Sequence, residues 1–415
     1  MIKTVIMAGG QGSRIASLFP NIPKPLIPIN DKPVLEREIE CLKSQGYTDI
    51  IITVSHLKEQ IISYFGDGKK FGVNIEYFVE ESPLGTGGAL YEIKDKLTDH
   101  FLLINADSIF DVNLVKFENF HAKSQGFVTL FAHPNSHPYD SGLLVVDKNL
   151  VVKKWLTKED ARPQYYKNLV NAGIHILSKK VLENRPEGTK VDLDRQIIRP
   201  LCEKGLVYAY CSPEYVKDMG TPERYESVVN DFKNNLPFKK NLLNKQKAIF
   251  LDRDGTINKY CGFLKNIDDL TLLPDVSDAI KDINASEYLA IVITNQPQIA
   301  RGELTYEELD EIHNKLETEL GKNGAFLNAI YFCPHHPDKG FEGEVKSLKI
   351  DCSCRKPKPG LLLKAAEDFN IDLSSSFMIG DRDNDVIAGQ SAGCKTYKIA
   401  TDGKINDIIK EILGK

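Results

Sequence analysis

Short apolar runs recur along this chain, each followed by a polar or glycine-bearing stretch. In the first half they are Thr4-Val5-Ile6-Met7, Ile50-Ile51-Ile52-Thr53-Val54 and Phe101-Leu102-Leu103-Ile104; in the second they are Ala248-Ile249-Phe250-Leu251, Ala290-Ile291-Val292-Ile293 and Phe377-Met378-Ile379. Runs that are apolar at successive positions predict strands covered on both faces, as in a parallel sheet. Between them the period becomes helical. Over 33–43, Leu35, Ile39 and Leu42 share one face, with Pro33 suited to the first turn. Thr305 and Glu308 predict a capping box, and Leu309, Ile312, Leu316 and Leu320 follow at helical spacing. Strands alternating with helices predict an α/β fold with ligands at the carboxyl ends of the strands. The rhythm breaks at 236–246, which is polar, basic and poorly periodic. Two Rossmann-like α/β domains are therefore expected, 1–235 and 247–415, joined by a linker at 236–246.

Composition narrows the class of protein. A length of 415 residues suits two domains better than one core, and 42% hydrophobic with 27% charged residues is ordinary for a globular chain. A net charge of −5 gives no electrostatic reason to expect a nucleic-acid or membrane partner. Lys239, Lys240, Lys245 and Lys247 gather at the connector, where a solvated linker is expected. No window approaches the ~20 apolar residues of a membrane helix, and the N-terminus has no signal-peptide pattern. Eight cysteines are sparse for a disulfide scaffold, and Cys333, Cys352 and Cys354 lie close together, which favours a metal in a reducing compartment. The expected location is cytoplasmic; a homo-oligomer is left open.

Chemistry enters at the strand ends. After the first strand, Ala8-Gly9-Gly10-Gln11-Gly12-Ser13-Arg14 offers backbone N–H groups unobstructed by Cβ atoms, and an arginine fit for paired bonds to phosphate oxygens. Pro23-Lys24-Pro25 stiffens a loop around an ammonium. Asp107 ends one strand and Asp218 lies far along the chain; two such carboxylates converging would hold Mg²⁺. Taken singly, each of these is also an ordinary turn or cap. Together, and with Leu84-Gly85-Thr86-Gly87-Gly88-Ala89, Asn171-Ala172-Gly173 and Asp218-Met219-Gly220-Thr221-Pro222, they resemble the sugar-1-phosphate nucleotidyltransferases over 1–230. That resemblance implies Lys24 on the α-phosphate, Arg14 on the leaving pyrophosphate, and Gly9, Gly10, Gly12, Gly85 and Gly88 around the nucleotide. It further implies Mg²⁺ on Asp107 and Asp218, with Asn171 and Lys158 facing the sugar phosphate. The chain departs from the family pattern at Ala106, usually glycine, and at Thr157, usually glutamate before the lysine. The opening stretch is most similar to guanylyltransferases acting on D-glycero-D-manno-heptose 1-phosphate.

In the second half, Asp252-Arg253-Asp254-Gly255-Thr256 follows a buried strand, a pattern that fits covalent phosphoryl transfer: one carboxylate attacks phosphorus, the other handles the proton. Asp381, in a second acidic strand end, can share Mg²⁺, and Thr294 ends a third strand. This resembles the haloacid dehalogenase-type phosphatases across 246–415. Cys333-Pro334-His335-His336-Pro337 and Cys352-Ser353-Cys354-Arg355-Lys356-Pro357 supply three thiolates and an imidazole for a closed Zn²⁺ site, with His335 the better ligand by resemblance and His336 the alternative. These features resemble the D-glycero-D-manno-heptose-1,7-bisphosphate 7-phosphatases. That resemblance implies Asp252 as nucleophile and Asp254 as acid/base, with Mg²⁺ on Asp252, Asp381 and the backbone carbonyl of Asp254. Lys356 and Thr294 steady the transferring phosphate, while Gly262, Phe263, Asn295, Gln296, Arg355 and Arg382 line the substrate pocket. Tyr260, Cys261 and Pro297 depart from the pattern. Cys41, Cys202, Cys211, Cys394, Trp155 and His313 are expected only to pack.

The combined expectation is a bifunctional enzyme of a nucleotidyltransferase fold and a haloacid-dehalogenase-like fold with a zinc loop. Heptose 1,7-bisphosphate loses its 7-phosphate; heptose 1-phosphate and GTP then give GDP-heptose and pyrophosphate. Its partners are these small molecules. Rival readings keep the chemistries with hexose 1-phosphate or histidinol phosphate as substrates, or make the chain a regulatory binding protein with one inactive domain.

Overall fold

A computed structural model describes every residue except 1, 11–14, 16, 17, 107, 187 and 189. Gly12, Arg14 and Asp107, all expected site residues, lie outside the described residues. The chain forms two compact units: Met1–His133, Gly142–Thr157 and Asn171–Asn241 make the first, and Pro134–Ser141, Lys158–Val170 and Leu242–Lys415 the second.

The first unit is built on a nine-stranded sheet. Its centre is the expected set of apolar runs, Lys3–Met7, Asp49–Val54 and His100–Asn105, with Asn74–Val79 outermost, all parallel. Val170–Ser178 runs antiparallel to His100–Asn105, in register from Ile174 opposite Ile104. Both faces are covered, so Ile6, Ile50, Ile52 and Leu103 have no solvent contact. The helix Val34–Ser44 buries Leu35, Ile39 and Leu42 as its periodicity requires. Pro33 stands just before it rather than in the first turn, because its extended backbone pairs with Pro28 in a small antiparallel ribbon.

The second unit carries a five-stranded parallel sheet in which Lys247–Leu251 is flanked by Tyr288–Asn295 and Phe377–Gly380, with Ala329–Cys333 and Lys395–Lys398 at the edges. The capping box at Thr305 and Glu308 forms, and Leu309, Ile312, Leu316 and Leu320 are buried along the helix Tyr306–Lys322. The same helix holds the 158–170 segment of this unit: Thr318 Oγ1 accepts from Tyr166 N at 2.9 Å and the buried Glu317 carboxylate accepts from Asn168 N at 2.6 Å.

The connector is more ordered than its composition suggested. Leu236–Lys240 is a short helix with Pro237 in its first turn, and it buries Leu236, Pro237 and Lys240. Burial, with the nearby Lys217 charge, lowers the Lys240 ammonium to about 8, so this lysine is a packed residue and not a solvated one. Gln246 then joins the second unit, its N–H and C=O bonded to Asn370 O and Asp372 N at 3.0 and 2.8 Å. No helix among the described residues is long and apolar enough to cross a membrane.

Candidate active sites

Three neighbouring parallel strands of the second unit deliver their carboxyl-terminal residues to one place. Lys247–Leu251 presents Asp252, Tyr288–Asn295 presents Thr294, and Phe377–Gly380 presents Asp381. Gly255 takes the turn that follows Asp252 at φ +83°, and a Cβ there would meet Asp381 Oδ2 at 2.8 Å, so both conformation and space require glycine. Lys356 reaches in from its loop and is only 3% exposed. Its Nζ donates to Asp252 Oδ1 at 2.7 Å and to Ile293 O at 2.7 Å, and pairs with Asp385 Oδ1 at 2.6 Å. The ammonium thus has a partner for each of its three N–H groups. The loop is held by its main chain as well: Asn295 Nδ2 donates to Lys356 O and Asn295 Oδ1 accepts from Lys356 N, both at 3.0 Å.

The two carboxylates of the Asp-x-Asp pair are in different electrostatic states. Burial raises the Asp252 carboxyl, with Lys356 opposing and Asp385 and Asp254 adding to the rise. Burial also penalises ionised Asp254, but the Arg253 charge and hydrogen bonds from Asn258, Arg253 and Gln296 outweigh it and hold this carboxyl below the usual range. Arg253 has no solvent exposure. Its NH2 lies 2.9 Å from Asp254 Oδ2 and donates to Gln296 Oε1 at 3.1 Å, and its NH1 donates to His313 Nε2 at 3.2 Å. His313 is therefore more than packing, since it backs the guanidinium that clamps Asp254. Gln296 lies behind the pocket wall, where its Nε2 donates to both Thr294 Oγ1 at 2.8 Å and Asp254 Oδ2 at 3.0 Å.

The pocket above these groups is lined by Gly262, Phe263, Asn295, Arg355 and Arg382, together with Tyr260 and Pro297. Arg382 lies 5.0 Å over the Tyr260 ring, and Arg301 lies 4.4 Å over Phe263. Asp252, Asp381 and Asp385 form a buried carboxylate cluster of a size to hold a cation. Asp381 Oδ2 accepts from Thr401 Oγ1 at 2.7 Å, while its Oδ1 is buried without a hydrogen bond and has only the Arg382 Nε at 3.9 Å, so it retains acceptor capacity for an ion.

Cys333, at the end of Ala329–Cys333, meets Cys352 and Cys354 with Sγ–Sγ distances of 3.5 and 3.2 Å, and Cys352 and Cys354 are 3.3 Å apart. His335 Nδ1 is 3.3 Å from Cys354 Sγ and 3.7 Å from Cys333 Sγ. Four donors at tetrahedral corners about one metal ion stand roughly 3.5–3.8 Å apart, so the group fits a metal. His336 is turned elsewhere, its Nε2 facing Arg301 NH2 at 3.3 Å.

In the first unit Gly9, Gly10 and Asp218 again lie at strand ends. Gly9 and Gly10 follow Lys3–Met7, and Gly9 packs against the carboxylate of Glu80, which itself follows Asn74–Val79. Gly85 opens the helix Gly85–Glu92 at φ +80°, where a Cβ would come within 2.5 Å of Val191 O; Gly88 is buried within the same helix. Lys24 Nζ comes within 3.7 Å of Asp218 Oδ1. Burial raises the Asp218 carboxyl, but Lys24 and Arg224 outweigh it and keep it below the usual range. Asp218 ends the strand Tyr215–Asp218 and pairs with Ser108. Asn171 is half-buried on Val170–Ser178; Lys158 is exposed and belongs to the second unit.

Asp385, Arg253, Asn258 and Thr401 carry the constellation around Asp252 and were not singled out from sequence. Asp385 had a signal, four residues beyond Asp381 in the acidic run Asp381-Arg382-Asp383-Asn384-Asp385. His313 had one too: a histidine inside the apolar face of Leu309, Ile312 and Leu316.

The nucleotidyl transferase family matches residues 3–235, and a HAD-hydrolase-like family matches 353–409. The D-glycero-beta-D-manno-heptose-1,7-bisphosphate 7-phosphatase of Pasteurella multocida is 40% identical over 159 residues, 38% of this chain and 84% of that protein. The Yersinia pestis protein of the same name is 40% identical over 157 residues, 38% of this chain and 81% of that protein. A crystal structure of HddC from Yersinia pseudotuberculosis with GMP-PN is similar at 29% identity, covering 56% of this chain and 100% of that one with a TM-score of 0.49. Two enzyme families thus meet on one chain, which belongs through residues 3–235 to the nucleotidyl transferases and through its C-terminal part to the D-glycero-beta-D-manno-heptose-1,7-bisphosphate 7-phosphatases.

Proposed function

We propose that the chain makes GDP-heptose in two steps, a phosphatase site in 247–415 removing the 7-phosphate of D-glycero-D-manno-heptose 1,7-bisphosphate and a transferase site in 1–235 joining heptose 1-phosphate to GMP from GTP. One observation carries this reading. The phosphatase family on this chain is named for removing the 7-phosphate of a 1,7-bisphosphate, which leaves a sugar 1-phosphate, and a sugar 1-phosphate is the acceptor that a nucleotidyl transferase of this kind uses. The guanine base rests on the resemblance of the opening stretch to guanylyltransferases.

At the phosphatase site Asp252 Oδ attacks phosphorus and the bond to the sugar oxygen breaks. Asp254, entering the step with a proton, gives it to that oxygen and regains one from the water that opens the aspartyl phosphate. The clamp of Arg253, Asn258 and Gln296 favours ionised Asp254, the form the second step needs. Lys356 and Thr294 neutralise charge building on the phosphoryl oxygens; Arg355, Arg382, Asn295, Gly262 and Phe263 shape the space beyond. Mg²⁺ bound to Asp252, Asp381 and the Asp254 carbonyl would offset the repulsion between nucleophile and phosphate, and an Asp381 Oδ1 that accepts no hydrogen bond fits that assignment. Asp385, held by Lys356 and by the N–H of Arg382 at 2.9 Å, positions the ammonium. At the transferase site Lys24 would face the α-phosphate, Asp218 and Asp107 would hold Mg²⁺ to offset phosphate charge, Arg14 would take the pyrophosphate, and Gly9, Gly10, Gly12, Gly85 and Gly88 would surround the nucleotide. Asn171 is assigned to the sugar phosphate.

The deciding experiment incubates the purified chain with Mg²⁺, heptose 1,7-bisphosphate and all four nucleoside triphosphates in competition, with products read by mass spectrometry. GDP-heptose as the dominant nucleotide sugar is the expected result. Accumulation of heptose 1-phosphate with no nucleotide sugar overturns the acceptor assignment, and equally fast phosphate release from histidinol phosphate overturns the heptose assignment.

Cys333, His335, Cys352 and Cys354 are proposed to hold Zn²⁺ in a closed, structural site. Elemental analysis of the purified chain is expected to find one zinc per chain, lost in Cys354→Ser. That variant should lower the melting temperature of the phosphatase unit by more than about 5 °C. An unchanged melting temperature in a zinc-free variant would remove the structural role.

A further inference from the structure

His175 takes part in neither reaction as described above, yet it is fully buried and hydrogen-bonded to a proposed substrate residue. Residues 171 and 175 share a face of the strand Val170–Ser178, but four positions along a regular strand would hold them about 13 Å apart. Gly173 removes that distance. It sits at φ +76°, and the antiparallel ladder with His100–Asn105 begins only after it, at Ile174. A left-handed glycine that kinks a strand in this way folds one side chain back toward another. Asn171 Oδ1 consequently lies 3.0 Å from His175 Nε2 and accepts the N–H of Gly173 at 3.3 Å.

These contacts fix the chemistry of both side chains. A backbone N–H only donates, so the Asn171 atom facing Gly173 N is the amide oxygen. The same oxygen faces His175 Nε2, which must therefore carry the proton. Nδ1 is then the bare nitrogen, and it is buried without a hydrogen bond. With its oxygen held twice, the Asn171 amide cannot flip, and its Nδ2 has no hydrogen-bond partner among the described residues. Trp155 lies edge-on to the imidazole at 6.4 Å, and Asn171 N donates to Gly142 O at 3.1 Å, which fixes the backbone beneath the amide.

We propose that His175 is a positioning residue for sugar-phosphate recognition in the transferase: it locks the Asn171 amide so that the NH₂ group, a pure donor, faces the acceptor. This rests on the assignment of Asn171 to the sugar phosphate. The amide NH₂ then bonds acceptor oxygens of the heptose 1-phosphate, and a flipped amide would turn a carbonyl oxygen toward an anion.

The test is steady-state kinetics of the full chain with heptose 1-phosphate and GTP as the varied substrates. His175→Leu removes the donor and keeps the volume; it is expected to raise KM for heptose 1-phosphate about tenfold, the scale of one hydrogen bond, leaving KM for GTP unchanged. His175→Gln retains a side-chain N–H and should restore an acceptor KM near that of the parent chain. The double variant His175→Leu with Asn171→Ala should be no worse than Asn171→Ala alone, because the two act through one contact. If Asn171→Ala raises the acceptor KM while His175→Leu does not, positioning by His175 is wrong and the site assignment stands. If Asn171→Ala leaves the acceptor KM unmoved, the site assignment fails and the proposal with it. A His175→Gln variant that loses both KM values alongside its thermal transition would make His175 a folding residue only.

Discussion

Asp252→Asn is expected to lower phosphate release from heptose 1,7-bisphosphate by roughly 10⁴-fold or more, with pyrophosphate release from heptose 1-phosphate and GTP unchanged. An amide is isosteric with the carboxylate but is not a nucleophile toward phosphorus, so the covalent step is lost and not merely slowed. The fold should survive. Asp252 is 7% exposed and already penalised by burial of its charge, so a neutral side chain removes that penalty even as it weakens the bond from Lys356. Lys24→Ala should give the mirror image: guanylyl transfer falls by roughly 10²–10³-fold, the usual scale for one preorganised cation at a developing charge, while phosphate release persists. Malachite-green assay for phosphate and a coupled assay for pyrophosphate, run on the same preparations, read both at once. Loss of both activities in either variant would mean that the two reactions do not occupy independent sites.

Lys356→Met carries the second large effect, on two observables. The ammonium is 3% exposed and lies between Asp252 and Asp385 at 2.7 and 2.6 Å. Without it two buried carboxylates face each other with no cation between them. Breaking a buried pair in this way costs about 3–5 kcal/mol, because the remaining charge is left uncompensated. The carboxyls respond by taking up protons: burial already raises the Asp252 carboxyl, and Lys356 is the main influence opposing that rise. Phosphate release is expected to fall by roughly 10²–10³-fold, because no ammonium then offsets the charge building on the phosphoryl oxygens. Scanning calorimetry gives the stability loss, and rates taken well below the melting transition give the chemical loss. Lys356→Arg should not rescue, since a planar fork cannot reach three acceptors clustered around one nitrogen. Turnover by Lys356→Met within tenfold of the parent would remove Lys356 from the chemistry.

Much of this arrangement was legible in the chain because it is local. The central strands read from 4–7, 50–54, 248–251 and 290–293 because a strand covered on both faces must be apolar at every position, and that pattern needs no partner to be seen. The metal group read from Cys-x-His and Cys-x-Cys because donors two residues apart reach the same point. What was hidden depends on distant pairing. Arg253 looks like a spacer between two aspartates until His313 and Gln296, 60 and 43 positions away, close on its guanidinium. Asp385 sits 29 residues from Lys356 and looks like one more charge at a helix start. The grouping of 134–141 and 158–170 with the second unit has no compositional trace, since it involves backbone-to-side-chain bonds between distant positions, such as Tyr166 N to Thr318 Oγ1. Helix 236–240 was read as linker because its lysines suggested solvent, whereas the long apolar stem of Lys240 permits its burial.

The Asn295 amide acts as a piece of backbone. Its N–H and C=O groups bond the C=O and N–H of Lys356 as a neighbouring strand would, so the loop is docked by a rung of ladder that ignores what side chain residue 356 carries. Position and chemistry are thereby uncoupled. A substitution at 356 therefore changes the group offered to the pocket while leaving in place the two main-chain bonds that dock the loop.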